Sequence, residues 1–315
     1  MPRGRRDVLR AGALALVLPL VGPLAAACTA GYEDSPDPLL PLLQRARSEA
    51  EAARALAGST PRHAELATEV AALRTAQAER LEAEVDRLNR PKPRPEQRAT
   101  DPGPVPDLRT LGTRLAQCRQ QALELVPSVP RYRAGLVGSV AAGCAAAQQL
   151  DQALGAGQPG KLEPVTVREL PEESAQALQQ ALAAEHAAIW VYGLVAAYLP
   201  GDFDRGVREG AAAHRDRRDA AERMLTAAGG TPQPAEPAYP PPQPVTDQPS
   251  AMALVVVAET DAAQAWRGVL ERTDDTALRS MAAESLLGSA TRVTRWRADA
   301  GTTPAANPLP GTPLR

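Results

Sequence analysis

The sequence predicts an all-α protein built as two four-helix bundles in tandem. Three observations carry that prediction. After the first thirty or so residues, nearly every segment repeats apolar residues at helical spacing and none alternates as a strand would. The helical runs fall into two sets of four, separated by GAGQPGKLEPVTVREL. Each set also breaks between its second and third runs with a long proline-rich passage, RPKPRPEQRATDPGPVP in the first and GGTPQPAEPAYPPPQPVTDQPS in the second.

The expected helices of the first set are Pro38–Ala57, Pro61–Arg90, Asp107–Val126 and Arg131–Leu154. Those of the second are Glu172–Leu199, Asp204–Ala228, Ser250–Arg272 and Asp275–Ala300. Proline and glycine mark the ends, as at Pro200-Gly201 and Gly229-Gly230. The proline-rich passages are too stiff for helix and long enough to carry the chain from one end of a bundle to the other. Two hairpins joined by one such crossover is the connectivity of ferritin-like bundles.

The first residues are a targeting segment rather than a fold element. MPRGRRDVLRAGALALVLPLVGPLAAAC has a basic start, an apolar stretch from Ala11 to Leu24 and small residues before Cys28. Its Arg5-Arg6 pair, with Leu9, resembles the twin-arginine export signal, although Gly4, Val8 and Arg10 depart from that pattern. Ala25-Ala26-Ala27-Cys28 resembles a lipobox, whose cysteine is lipid-modified after cleavage; the alternative is an ordinary signal cut near Ala27. Two acyl chains on Cys28 would hold the protein to the outer face of the cytoplasmic membrane. The expected organisation is a signal over 1–27, a tether over 28–37, a first bundle over 38–154, a linker over 155–170, a second bundle over 171–300 and a disordered tail over 301–315.

Charge excludes one class of partner. Loss of residues 1–27 removes four arginines and one aspartate, a net +3, so the formal −2 of the whole chain becomes −5. A mildly acidic chain whose lysines are only Lys92 and Lys161 is not a nucleic-acid binder. The membrane, through Cys28, and an unidentified protein are the partners left. No Ser/His/Asp grouping, glycine-rich phosphate loop or CxxC pair appears, so hydrolase, kinase and zinc-finger readings have no support.

One constellation carries chemistry. In ALAAEHAAIWVYG, Glu185 shares a helical face with Leu178, Leu182, Ile189 and Tyr192. His214 lies in line with Val207, Ala211, Ala221 and Leu225, Glu259 with Val255, Ala263 and Trp266, and Glu284 with Met281, Leu287 and Gly288. Each helix of the second set thus offers one polar group to the interior, and three unneutralised carboxylates there would be prohibitive. Either a divalent iron, manganese or zinc ion neutralises them with His214 as a nitrogen ligand, or Arg218, one turn after His214, pairs with them in a metal-free salt network. Tyr192 is then either a redox tyrosine beside a metal or a core residue with its hydroxyl satisfied. Trp190, Trp266 and Trp296 fill the core, and His186 sits at its edge.

The fragments EHAAIWVYG, AAAHRDRRDA, AETDAAQAW and AAESLLGSATRVTRWR resemble, as a set, the ferritin-like domain of unknown function found in actinobacterial lipoproteins exported by the twin-arginine route. Ferritin-like carboxylate proteins place a Glu on helices one and three and a Glu-x-x-His on helices two and four. The resemblance makes Glu185, His214, Glu259 and Glu284 candidate metal ligands, with Arg218 and Tyr192 beside them. Ala211 and Leu287 stand where the remaining two ligands belong, which weakens a di-iron reading.

The first set aligns weakly with the second, putting Glu49 opposite Glu185, Leu73 opposite His214, Gln117 opposite Glu259 and Gly138 opposite Glu284. No ligand set survives there, and Glu49 is expected on a solvated face among Arg47, Glu51 and Arg54. Cys118 and Cys144 fall on adjacent helices. A disulfide between them is permitted in an oxidising compartment, but counting back from the Pro127–Pro130 turn puts them at different levels, so both states stay open.

Overall fold

In the computed structural model the described residues are 35–88, 105–155, 167 and 169–312. Among them there are eight α-helices and no strand: α1 (Leu40–Ser59), α2 (Ala64–Arg87), α3 (Leu108–Leu125), α4 (Arg131–Ala147), α5 (Glu172–Val195), α6 (Asp204–Ala227), α7 (Gln248–Leu270) and α8 (Thr276–Asp299). The export signal, Cys28, the start of the tether and most of the first proline-rich passage lie outside the described residues. No described helix is long and apolar enough to cross a membrane.

Local chemistry sets the helix ends. Asp107, Asp247 and Asp275 cap α3, α7 and α8 by accepting from the backbone N–H three residues on. Asp247 and Ser250 form a reciprocal capping box, so α7 starts two residues before the expected Ser250. Gly229, at φ 80°, ends α6, and the Gly230 N–H donates back to the Leu225 carbonyl at 2.9 Å. Helix α4 stops at Ala147 rather than at the expected Leu154. There the buried Gln148 amide donates to the carbonyls of Gly112, Leu154 and Gly155, trading helix continuation for a folded corner.

Helix α1 packs on α2, α3 on α4, α5 on both α6 and α7, and α7 on α8. The second proline-rich passage runs without regular structure along α5: Gln179 donates to the Thr231 carbonyl and accepts from the Gln233 N–H, and Tyr239 packs near Trp190. His186, at the core edge as expected, lies 3.3 Å from the Gln233 carbonyl.

The two halves are not separate beads. The described residues from Pro36 onward form one compact unit, and α4 packs against both α7 and α8. From Arg133 to Ala147 every side chain of α4 is buried. Its glycines and alanines allow this close approach: a Cβ at Gly138 would sit 2.5 Å from Leu270, and one at Gly143 would meet the Pro308 carbonyl at 2.2 Å. Arg279 on α8 adds a polar tie, donating to the Val129 carbonyl of the α3–α4 turn at 2.8 Å.

The tail expected to be disordered is a strap over residues 301–312. Ala305, Ala306 and Leu309 are buried, the Gln77 amide donates to the Pro308 carbonyl, and the Ser139 hydroxyl donates to the Pro310 carbonyl. Small apolar side chains and proline carbonyls that no helix consumes make the segment suited to fill the seam beside α2 and α4.

Candidate functional site

Glu185 on α5, His214 on α6 and Glu259 on α7 converge in the core, each with no exposed surface. The stripes that predicted them hold: Leu178 and Leu182, Ala221 and Leu225, and Val255 and Trp266 are buried with them. The imidazole lies between the two carboxylates, with Nδ1 2.5 Å from Glu185 Oε2 and Nε2 3.1 Å from Glu259 Oε1. Two carboxylate oxygens, one at each ring nitrogen, require a proton on both nitrogens. A neutral ring would aim a lone pair at an anion. Burial alone lowers the histidine pKa, but Glu259 and Glu185 outweigh it and hold His214 above its ordinary value, as imidazolium.

The remaining carboxylate oxygens also have protein partners. The Trp266 indole N–H donates to Glu185 Oε1 at 2.5 Å, and the Arg217 guanidinium stands 3.7 Å from the same atom while donating to the Ser289 hydroxyl. On the other side, Arg292 donates to both Glu259 oxygens, at 2.5 and 3.3 Å, and the Tyr192 hydroxyl donates to Oε1 at 2.7 Å. Tyr192 in turn accepts from the Trp296 indole at 3.2 Å. The result is an unbroken chain of hydrogen bonds from Trp296 through Tyr192, Glu259, His214 and Glu185 to Trp266.

Electrostatics follow from that packing. Burial would raise both glutamates, but Arg292 and His214 pull Glu259 far below the carboxylate range, and His214 and Arg217 lower Glu185 from its ordinary value. Burial and the neighbouring Arg292 push Arg217 down to about 10, and burial together with the Glu259 charge keeps Tyr192 a phenol. Two glycines make the space. A Cβ at Gly210 would overlap the Tyr192 ring at 2.3 Å, and one at Gly288 would lie 1.9 Å from Arg217 Nη2.

Two expectations are corrected here. Glu284 is not part of the cluster. Ser285, Gly288, Ser289, Arg292 and Trp296 form the inward stripe of α8, and Glu284, about 100° round the helix from Ser285, is only half-buried with Arg119 and Arg217 as its nearest charges. Arg218 does not neutralise the glutamates; it is partly exposed and bonded to its neighbour Asp219 at 2.6 Å. Arg217 and Arg292, which the sequence reading passed over, take that role. Their signal was present in the sequence: Arg217 lies three residues after His214, and Arg292 four after Gly288.

The first half holds a second buried polar centre, which corrects the expectation of a solvated Glu49. Glu49 is 1 % exposed and paired with the fully buried Arg74 at 2.9 Å. Gln77, Cys118 and Cys144 complete that centre around the same guanidinium. The residue of α2 that meets Glu49 is therefore Arg74, beside the equally buried Leu73, and that of α3 is Cys118 and not the exposed Gln117.

A resident iron or manganese ion, implied by ferritin-like proteins, does not fit the donor set. The ring nitrogens of His214 point to opposite sides, one to each glutamate, so no single point faces all three side chains. Two guanidinium groups already stand against the carboxylates, Arg292 at 2.5 Å from Glu259 and Arg217 at 3.7 Å from Glu185. Among the described residues no three His, Cys, Asp or Glu side chains are grouped to hold one ion.

Residues 177–314 match the family described as "Domain of unknown function (DUF4439)". A solved structure titled "Crystal structure of a conserved hypothetical protein, rv2844, from Mycobacterium tuberculosis" is 38% identical over 42% of this chain and 93% of that chain, with a TM-score of 0.40. Comparison with curated proteins gave no match.

Proposed function

We propose that the chain, which carries a DUF4439 domain over residues 177–314, is a non-catalytic helical protein of the cell envelope, anchored through a lipid on Cys28, that presents its outer surface to a protein partner. Its two helical sets are each of ferritin-like connectivity, and the buried Glu185–His214–Glu259 cluster with Arg217 and Arg292 is a structural centre. The single observation that carries this reading is the filled hydrogen-bond ledger of the cluster. Both nitrogens of His214 and every oxygen of Glu185 and Glu259 are engaged by protein groups, and an imidazole bonded to a carboxylate through each nitrogen has no lone pair to offer a metal.

Buried ionic groups of this kind add little net stability compared with apolar packing, but they penalise every arrangement in which one partner is missing. In an alanine-rich bundle, whose helices slide past each other at low cost, such a penalty selects one register for α5, α6, α7 and α8. The envelope address rests on the Arg5-Arg6 signal and the Ala25–Cys28 lipobox-like end.

The test is a metal challenge of the full chain produced and folded in the cytoplasm in iron- or manganese-supplemented medium. The expected result is trace metal only, and no rise in melting temperature on adding ferrous or manganous ion. One metal per chain, lost in Glu185→Ala, would overturn the reading.

A further inference from the structure

The Glu49–Arg74 centre contains two thiols that the proposed function does not use. Cys118 on α3 and Cys144 on α4 are both fully buried and both free. One guanidinium spans them: Arg74 Nη1 donates to Cys144 Sγ at 3.1 Å and Nη2 to Cys118 Sγ at 3.2 Å. Arg74 is itself held on both sides, by Glu49 at 2.9 Å through Nε and by Gln77 through Nη1, and Gln77 is fixed in turn by the Val140 and Pro308 carbonyls. The Cys144 thiol donates to Gln77 Oε1 at 3.9 Å, which holds its proton, while Cys118 Sγ accepts from the guanidinium, so the two sulfurs are neighbours on Arg74 despite their different distances from the α3–α4 turn.

A structural reading of two buried cysteines is that they are small apolar side chains. It does not explain the arginine. A buried cation costs several kcal/mol of desolvation, and Glu49 alone supplies one counter-charge, through one nitrogen. The other two guanidinium nitrogens face sulfur, an arrangement that favours thiolate over thiol.

We propose that Cys118 and Cys144 are a redox pair that exchanges with disulfide-containing oxidants, Cys118 attacking as the thiolate held by Arg74 and Cys144 resolving. In the first step Cys118 Sγ bonds to one sulfur of the oxidant disulfide and the other sulfur leaves as thiolate. Cys144 then loses its proton and attacks Cys118 Sγ, and the second oxidant thiolate departs. Two electrons pass to the oxidant, and the Cys144 proton and one proton from water end on its two thiols. The product is a Cys118–Cys144 disulfide linking α3 to α4. Burial makes the exchange depend on transient opening of the bundle, so it is slow in the native protein.

The experiment equilibrates the full chain in glutathione buffers across a range of potentials, then denatures it, alkylates free thiols and counts each cysteine by peptide mass, so that Cys28 is scored apart. The expected result is that Cys118 and Cys144 lose their label together, in one two-electron transition, and that the crosslinked peptide is lighter than its reduced form by two hydrogen atoms. Thiols that stay alkylated at every potential, or separate mixed disulfides with glutathione, would overturn the proposal. Arg74→Lys keeps the charge and loses the fork. Because the guanidinium stabilises the reduced pair, this variant should move the midpoint to a more negative potential, and an unmoved midpoint would remove Arg74 from the account.

Discussion

Replacing Glu259 by glutamine changes one charge and almost no volume, and the structure says what that one charge does. Glu259 Oε1 accepts from Tyr192, His214 and Arg292, and Oε2 accepts from Arg292 alone. A glutamine oxygen at the Oε1 position keeps three acceptor contacts, but its NH2 then faces a guanidinium N–H, donor against donor. The ionised centre contains two carboxylates, two guanidinium groups and an imidazolium, a net +1, and Glu259→Gln makes it +2. Removing one member of a buried ion pair costs about 3–5 kcal/mol. Loss of the His214 proton relieves part of that, so the expected cost is at the lower end, about 3 kcal/mol. For a compact unit of this size, such a loss lowers the melting temperature by about 6 °C. Thermal unfolding followed by circular dichroism near neutral pH measures it. Adding Arg292→Met to Glu259→Gln removes the stranded cation and should recover part of the loss. A single variant that melts within about 1 °C of the parent would refute the argument, since a solvated charge pair gives that result.

Other perturbations give equally definite outcomes. The pKa of His214 is raised above 6.5 in the folded chain, so its stabilisation is complete below that value and is lost as pH rises through the folded pKa. Glu185 and Glu259 are lowered from 4.5, so their stabilisation is complete above that value and is lost as pH falls through their folded values. Denaturant titrations across pH should therefore show greatest stability between those limits, with the alkaline decline absent in His214→Gln. Arg218→Ala should change stability by less than about 0.5 kcal/mol in the same titrations, whereas Arg217→Ala removes a buried cation 3.7 Å from Glu185 and its bond to Ser289 and should cost about 1–3 kcal/mol. Truncation after Asp299 exposes the surface that Ala305, Ala306 and Leu309 cover and strands Gln77 and Ser139. Hydrogen exchange should then rise in α2 and α4 ahead of the other helices; unchanged protection would show the strap to be passive.

How far the sequence spoke depends on what each residue type discriminates. Helix number and order were legible because prolines, glycines and capping aspartates punctuate the chain. Glu185, His214 and Glu259 were legible because each interrupts a stripe of large apolar residues. On α8 the stripe is SLLGSATR, where glycine, alanine and serine fit a buried or an exposed position equally well. A choice one residue off, Glu284 for Ser285, swings the face by about 100°. The same one-residue ambiguity put Gln117 in the place of Cys118, and on α2, where Leu73 and Arg74 are both buried, it hid which of the two meets Glu49. Arg292 and Arg217 were passed over because composition treats arginine as surface, and only the counter-charges of another helix reveal that it is core. The strap at 301–312 was invisible for a further reason: its burial depends on a groove made by α2 and α4, which no local pattern encodes.

The account turns on the protonation of one ring. Nitrogen-15 NMR of the His214 imidazole in the native chain at neutral pH reads it directly. Both ring nitrogens should carry protons, with the imidazolium shift persisting to pH values above 6.5. A neutral tautomer, or a nitrogen whose resonance moves on adding ferrous or manganous ion, would contradict the filled centre and return His214 to the role of a ligand.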